Sequence, residues 1–377
     1  MPSHIYLSAP HMSDEGYELE YIHDAFQKNW ISPLGENVNE FEKAVKAYLG
    51  TDYVVALSSG TAAIHMALIM AGVQPGDRVF CQDLTFAASA NPITYLGAEP
   101  VFIDSEYETW NMDPRALEKA IGLYGAPKAV IAVHLYGNPA KMKEICKICA
   151  AYNIALIEDS AEALGSEYDG RKCGTFGQYG ILSFNGNKII TTSGGGMLLC
   201  KTEADAKHTL KLATQARDPF PWYEHTEVGF NYRLSNICAG IGRGQMKVLP
   251  DRVRRKQTIY RRYQSALADL PVSLQPVLDN AVSNHWLTSL LIDEDCPVTP
   301  MDLLNALKAA DIEGRHVWKP MHCQPIYQKY GFVSVSDTPV SEDLFHRGFC
   351  LPSDSKMTEA DVDRVSDVIA GCIKGAL

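Results

Sequence analysis

Lys188 closes the run Ser183-Phe-Asn-Gly-Asn-Lys188, and Gly194-Gly195-Gly196 follows a few residues later. The lysine stands in a loop between two apolar stretches, flanked by hydroxyls and glycines, which is not the setting of a solvated surface lysine. A desolvated amine with a lowered proton affinity can attack a carbonyl carbon and form a Schiff base. The same ammonium could instead pair with Glu158 or Asp159 for structure alone. Those two acids end the apolar run Ile154-Ala-Leu-Ile157 and lead into Ser160-Ala161-Glu162. A carboxylate at the mouth of a hydrophobic strand is costly without a cation. It could hold a protonated heterocyclic nitrogen, or serve only as an acid favoured at a helix N-terminus. A third run, Ser58-Ser59-Gly60-Thr61-Ala62, opens an apolar helical stretch. Glycine permits close backbone approach, and the free N–H groups of a helix start attract phosphate; a plain helix cap gives the same pattern. Together the three sites make a phosphate cradle, an acid for a ring nitrogen and a lysine nucleophile. That is the set pyridoxal 5'-phosphate requires.

These residues must be held by elements, and short apolar, β-branched runs supply them. Tyr53-Val-Val-Ala-Leu57 reads as a strand, followed by a helix through about Ala71. Arg78 to Cys81, Pro100 to Ile103, Ala129 to Val133, Ile154 to Ile157, Ile181 to Phe184 and Gly196 to Cys200 are further strands. Continuous apolar runs separated by helices mean strands buried on both faces, hence an α/β fold with a mostly parallel sheet. Ligands in such sheets sit beyond the carboxyl ends of the strands, where all three chemical runs fall. After about Pro250 the character shifts. Asp251 to Ala268 reads as a charged amphipathic helix, followed by candidates at Trp286 to Ile292, Pro300 to Ala310 and Thr358 to Ile373. The expectation is a large domain over 1–250 and a smaller α+β domain over 251–377.

Composition narrows the function classes. Of 377 residues 46% are hydrophobic and 21% charged, which places the chain among ordinary globular enzymes and excludes intrinsic disorder. Asp plus Glu number 45 against 34 Lys plus Arg, a formal charge of −11. That balance argues against nucleic-acid binding, which depends on basic patches. No run approaches a membrane span, and Met1-Pro2-Ser3-His4 shows no secretory signal, so the expectation is a cytoplasmic protein. Ten cysteines are irregularly spaced. Cys146 and Cys149 share a helix face, but no second ligand pair accompanies them; buried reduced thiols are expected and no metal site.

The ordered set of Ser-Gly-Thr-Ala, Asp159 with Glu162, and Ser-Phe-x-x-x-Lys188 before a glycine run resembles the DegT/DnrJ/EryC1 sugar aminotransferases. The resemblance extends through Trp30-Ile-Ser-Pro-Leu-Gly35, Gly229-Phe-Asn-Tyr-Arg-Leu-Ser-Asn236 and Met321-His-Cys-Gln-Pro-Ile-Tyr327, covering essentially the whole chain. It implies an aspartate-aminotransferase-like architecture (fold type I of the pyridoxal phosphate enzymes) and a homodimer with active sites at the interface. It also implies roles. Lys188 would anchor the cofactor and shuttle protons, and Asp159 would pair with the pyridinium nitrogen. Phe86 would stack on the ring, Gly60, Thr61 and Ser183 would hold the phosphate, and Glu162 would sit near the phenolic oxygen. Asn231 would reach the phosphate of the neighbouring subunit's cofactor. Many relatives carry His or Gln where Glu162 stands. Relatives with histidine in place of the lysine are dehydratases, so Lys188 points to amino transfer.

The stretches 185–197, 214–217 with 223–225, and 161–166 are further similar to the 4-aminotransferases of UDP-N-acetylbacillosamine biosynthesis. That implies a UDP-2-acetamido-2,6-dideoxy-4-ketohexose as acceptor and L-glutamate as donor, with Trp30, Arg233 and His322 as substrate contacts. Each of these three has a structural alternative, a salt bridge above all for Arg233. Two other function classes fare worse. A cofactor-binding regulator would carry a DNA-binding segment, and none is visible. A nicotinamide enzyme needs Gly-x-Gly-x-x-Gly after an early strand, whereas Gly240-Ile-Gly-Arg-Gly244 has neither that spacing nor that context.

Overall fold

The computed structural model describes residues 4–376; the stretch 1–3 inspected for a secretory signal and residue 377 lie outside the described residues. The elements begin with α1 (Tyr17–Gln27), α2 (Glu36–Leu49), β1 (Tyr53–Leu57), α3 (Gly60–Met70), β2 (Arg78–Gln82), α4 (Asn91–Tyr95) and β3 (Glu99–Ile103). They continue with α5 (Pro114–Tyr124), β4 (Ala129–Val133), α6 (Met142–Ala151), β5 (Ala155–Asp159), β6 (Glu167–Tyr168), β7 (Arg171–Lys172), β8 (Tyr179–Ser183), β9 (Gly196–Cys200) and α7 (Glu203–Ala213). The C-terminal third holds α8 (Asn236–Ala266), β10 (Val272–Leu274), β11 (Ala281–Val282), β12 (Thr288–Ile292), α9 (Pro300–Ala309) and β13 (Arg315–His316). It ends with β14 (Gly331–Val333), α10 (Val340–Arg347), β15 (Gly348–Leu351) and α11 (Glu359–Ala376).

All seven strands expected from apolar runs join one eight-stranded sheet in the order β1-β9-β8-β5-β4-β2-β3-β14. Pairing is parallel except around β9, which runs antiparallel to both β1 and β8. The central strand β4 is Ala-Val-Ile-Ala-Val and buried at every position, as a strand covered on both faces requires. α3 is apolar on every side and buried along most of its length, so it lies inside the layers and not at the surface.

The register places the chemistry. Gly196 is the partner of both Leu57 and Ser183. The end of β1, the start of β9 and the end of β8 therefore meet, and the Ser58–Thr61 turn lies beside Ser183. Val133 pairs with Asp159, which pairs with Ile181, so Asp159 stands at the same edge. A Cβ on Gly196 would come 2.3 Å from the carbonyl carbon of Ser59 and 2.4 Å from the Gly60 nitrogen; only glycine fits this crossing.

A second, antiparallel sheet in the order β10-β12-β15-β13 packs with α9, α11 and the end of α8 around Ile259, Leu303, Phe349 and Val365. Two details differ from expectation. The helix expected from Asp251 begins at Asn236 and runs unbroken past Pro250. The segment carrying Met321 to Val333 returns to the large sheet, where β14 pairs parallel with β3. The glycines of Gly240-Ile-Gly-Arg-Gly244 lie inside α8, where a Cβ on Gly242 would stand 2.5 Å from the Phe41 ring and one on Gly244 2.7 Å from the Glu18 nitrogen. They let α1 and α2 lie close on α8, and no nucleotide loop is formed. All ten cysteines are free, and burial pushes the Cys146 and Cys149 thiols up to about 11 and about 12. Among the described residues no helix is long and apolar enough to cross a membrane.

Candidate active site

Beyond the carboxyl edge of the large sheet lies a cavity of about 400 Å³, lined by Lys188, Asp159, Glu162, Gly60, Thr61 and Ser183 among others. The loop between β8 and β9 delivers Lys188, whose side chain is only 13% exposed. Its Nζ donates to Glu162 Oε1 at 3.0 Å and lies 4.2 Å from the centre of the Trp286 ring. The lysine's partner is therefore Glu162, and not Glu158 or Asp159 as the ion-pair alternative had it. Two clamps hold the loop through Asn187: its carbonyl accepts from Trp286 Nε1 at 2.7 Å and from Ser8 Oγ at 3.2 Å.

Asp159 is buried at the end of β5. One carboxylate oxygen accepts from Ser89 Oγ at 2.7 Å and the other from the Ala161 N–H at 3.1 Å. Ser89 is itself linked to Thr85 at 2.8 Å, so the acid is held rigidly at the cavity, with no cationic side chain as partner among the described residues. Glu162 accepts the Tyr136 N–H at 2.8 Å through its second oxygen. Tyr136 donates from a left-handed backbone, φ 57°, a conformation that favours glycine and here aims its N–H at the carboxylate. Burial pushes the Glu162 carboxyl above the ordinary carboxylate range, opposed by Lys188 and that N–H. Its neighbour Glu158 faces away. It accepts from Phe176 and Gly177 N–H at 2.8 and 3.0 Å and pairs with His134 Nε2 at 2.8 Å, inside the core. The Ala140 N–H donates to His134 Nδ1 at 3.0 Å, so the proton of that ring is on Nε2.

The residues fit pyridoxal phosphate. The start of α3 presents N–H groups that have no partner among the described residues, beside Thr61 and Ser183, with Ser59 capping Ala62 at 3.0 Å and no acid in the first turn. A Cβ on Gly60 would crowd Ser183 Cβ at 3.1 Å, so the cradle exists because the residue is glycine. Phe86 lines the cavity and its exposed ring lies 5.6 Å from that of Trp318, which forms an aromatic wall. Asn187 also lines it, and its buried Oδ1 has no partner among the described residues.

Four expected residues do not line the cavity. Arg233 is buried and donates to Glu42 at 2.6 Å and to the Ala56 carbonyl at 2.8 Å, the structural salt bridge weighed against a substrate contact. His322 is hydrogen-bonded to Asp83 at 2.8 Å. Trp30 is exposed and donates to the Leu34 carbonyl at 2.6 Å. Asn231 is exposed on the segment following the 214–228 loop. In their place stand Ser8, Ser89, Trp286, Arg315 and Trp318. Ser89 lies three residues beyond Phe86, and Arg315 and Trp318 lie just before the Met321 motif, so proximity to known motifs was the available signal. Ser8 and Trp286 carried none. Behind the lysine loop, the fully buried Lys256 of α8 donates to the Trp286 carbonyl at 2.9 Å, the Ser353 carbonyl at 2.6 Å and Ser8 Oγ at 3.4 Å. Burial lowers its pKa to about 7.

Comparison with known proteins agrees with this geometry. Residues 13–370 match the model of the DegT/DnrJ/EryC1/StrS aminotransferase family. EpsN of Bacillus subtilis (strain 168), provisionally assigned as a pyridoxal phosphate-dependent aminotransferase, is 52% identical over 375 residues, 98% of this chain and 96% of that protein. A GDP-perosamine synthase of Caulobacter vibrioides is 36% identical over 363 residues, 96% of each chain. The crystal structure of a DegT DnrJ EryC1 StrS aminotransferase from Brucella abortus superposes with a TM-score of 0.88 at 31% identity, covering 95% of this chain and 96% of that one. The chain belongs to the DegT/DnrJ/EryC1/StrS family of pyridoxal phosphate-dependent aminotransferases.

Proposed function

We propose that this protein moves an amino group from L-glutamate to C4 of a nucleotide-linked 4-keto sugar, a UDP-2-acetamido-2,6-dideoxy-4-ketohexose. The observation that carries the amino-transfer reading is the single cavity shared by Lys188, Asp159 and the start of α3. The similarity of residues 161–166, 185–197 and 214–217 with 223–225 to bacillosamine-pathway enzymes supports the UDP acceptor. The name of the Caulobacter relative supports a GDP-linked one as the second reading.

Bound pyridoxal phosphate supplies an electron sink that stabilises negative charge on the carbon bearing the amine. Around it each residue has a task. Lys188 anchors the cofactor; once displaced, its Nζ takes the α-proton of glutamate in one half-reaction and delivers a proton to sugar C4 in the other. Glu162, already bonded to Nζ, keeps the amine within reach of the cavity. Asp159, locked by Ser89 and Ala161, offers a carboxylate to a protonated ring nitrogen. Phe86 and Trp318 line the cavity as an aromatic wall that would pack against the ring. Arg315 lines the cavity with no ion pair among the described residues, and its guanidinium suits the diphosphate of the acceptor or a carboxylate of the donor. Asn231 of one subunit completes the phosphate site of the other across a dimer.

The test is incubation of the holoenzyme with glutamate and UDP-, GDP- and dTDP-linked 4-keto and 3-keto sugars. Mass and NMR analysis would read the site of amination. The expected result is a 4-amino product from the UDP-2-acetamido sugar and release of 2-oxoglutarate. Exclusive turnover of the GDP sugar would reassign the acceptor, and no amination of any sugar would overturn the proposal.

A further inference from the structure

Outside the cavity, the segment that returns to the large sheet builds a second polar cluster. Asp83 follows β2 and is fully buried. Its carboxylate accepts from the His322 N–H at 2.9 Å, from His322 Nδ1 at 2.8 Å and from Ser341 Oγ at 2.6 Å. A carboxylate only accepts, so the imidazole proton must be on Nδ1, and Nε2 of the neutral ring carries a bare lone pair. That lone pair lies 3.2 Å from a Glu342 oxygen and 3.3 Å from Cys323 Sγ, whose S–H can donate to it. The Glu342 carboxylate oxygen beside Nε2 is answered by a second ring proton, or by a metal ion that takes the place of that proton and of the thiol proton.

The three donors also have the spacing of a metal site. The three donor atoms lie within 4.8 Å of one another. Zinc bonds of about 2.0–2.2 Å to N and O and about 2.3 Å to S set tetrahedral ligand separations of about 3.3–3.6 Å, close to the two distances found. His322 is fixed as metal-binding histidines are, by a carboxylate on its other nitrogen, and its ring is stacked on Phe332 at 3.8 Å. We propose that His322 Nε2, Cys323 Sγ and Glu342 bind one zinc ion, with water in the fourth position. Imidazole, thiolate and carboxylate are zinc-class donors, and on binding Cys323 releases its thiol proton to solvent. The ion would tie Met321–Cys323 to α10, beside Asp83, which lies three residues before Phe86. This inference does not depend on the identity of the sugar.

Zinc is titrated into chelator-treated holoenzyme by calorimetry, and cobalt is added as an optical probe. One equivalent per chain is expected, with the visible bands of four-coordinate cobalt and a sulfur-to-cobalt charge-transfer band. Cys323→Ser and Glu342→Gln should each weaken zinc binding by about tenfold or more, the scale of a disrupted metal shell. Glu342 is partly exposed, so its variant tests the site without disturbing the core. Absence of stoichiometric binding would mean that the cation is only a proton. Binding that survives both substitutions would place zinc elsewhere, for instance at the buried His134, Glu158 and Cys173. Either result overturns the proposal.

Discussion

At the scale of single residues, the question is whether Lys188 is a reagent or a structural cation. Its ammonium is bonded to Glu162 and lies over Trp286, contacts an arginine could partly reproduce. Lys188→Arg should therefore stay folded by circular dichroism, since the positive charge beside Glu162 is kept. Turnover should fall by about 10³-fold or more, because a guanidinium neither anchors the cofactor nor exchanges its proton. Borohydride reduction followed by peptide mapping should label Lys188 in the wild type and nothing at that position in the variant. Retained turnover in Lys188→Arg would sink the assignment. The residue types of this site were legible because lysine, aspartate and the Ser-Gly-Thr turn each carry their chemistry locally. The partner of Lys188 was not. Glu162 lies 26 positions away, and only the fold decides that it, and not Asp159, receives the amine.

At the scale of elements, α8 joins the site to the second sheet. Lys256 lies on it, behind the active-site loop, and three oxygen atoms surround its amine. Burial depresses its pKa from 10.5 to about 7. Between those values the unfolded chain holds the proton more tightly than the folded one. Stability contributed by this group is thus present above pH 10.5 and lost as pH falls through about 7. Chemical denaturation should show wild type gaining stability relative to Lys256→Met as pH rises from about 7 to 10, with a slope of up to about 1 kcal/mol per pH unit. Parallel curves for the two proteins would overturn this assignment. The strands of the large sheet were readable from apolar runs because burial on both faces leaves no polar positions. The start of α8 was not, because Pro250 resembles a boundary when a neighbouring helix is out of view. The helix runs through it with α1 and α2 packed on its N-terminal half.

At the scale of the whole molecule, large apolar side chains remain exposed on one chain, Trp30, Phe220, Trp222, Tyr223 and Val228 among them. Phe220 and Trp222 stack on each other at 5.5 Å. We read this exposed aromatic surface as the association face of the proposed dimer, in which Asn231 serves the partner's site. Complementation tests it. Lys188→Ala and Asn231→Ala homodimers should each be nearly inactive. Co-expressed in equal amounts, half of the dimers carry both variants and one intact site of two, so about a quarter of wild-type activity should return. No recovery from mixed dimers verified by mass would mean that Asn231 acts within its own chain or not at all.

What the sequence determined by itself was the local chemistry: a lysine in a loop between buried strands, acids at a strand end, a phosphate-suited helix start, and the apolar runs that make the sheet. Each signal is contained in a few neighbouring residues. The tertiary structure decided the pairings that span long distances in the chain. Ser89 locks Asp159 from 70 positions away, and Trp286 clamps Asn187 from 99. Arg233 is used by Glu42, 191 positions off, and His322 by Asp83 from 239. Periodicity reports which face a residue turns inward, and only the packed chain determines which side chain it meets there.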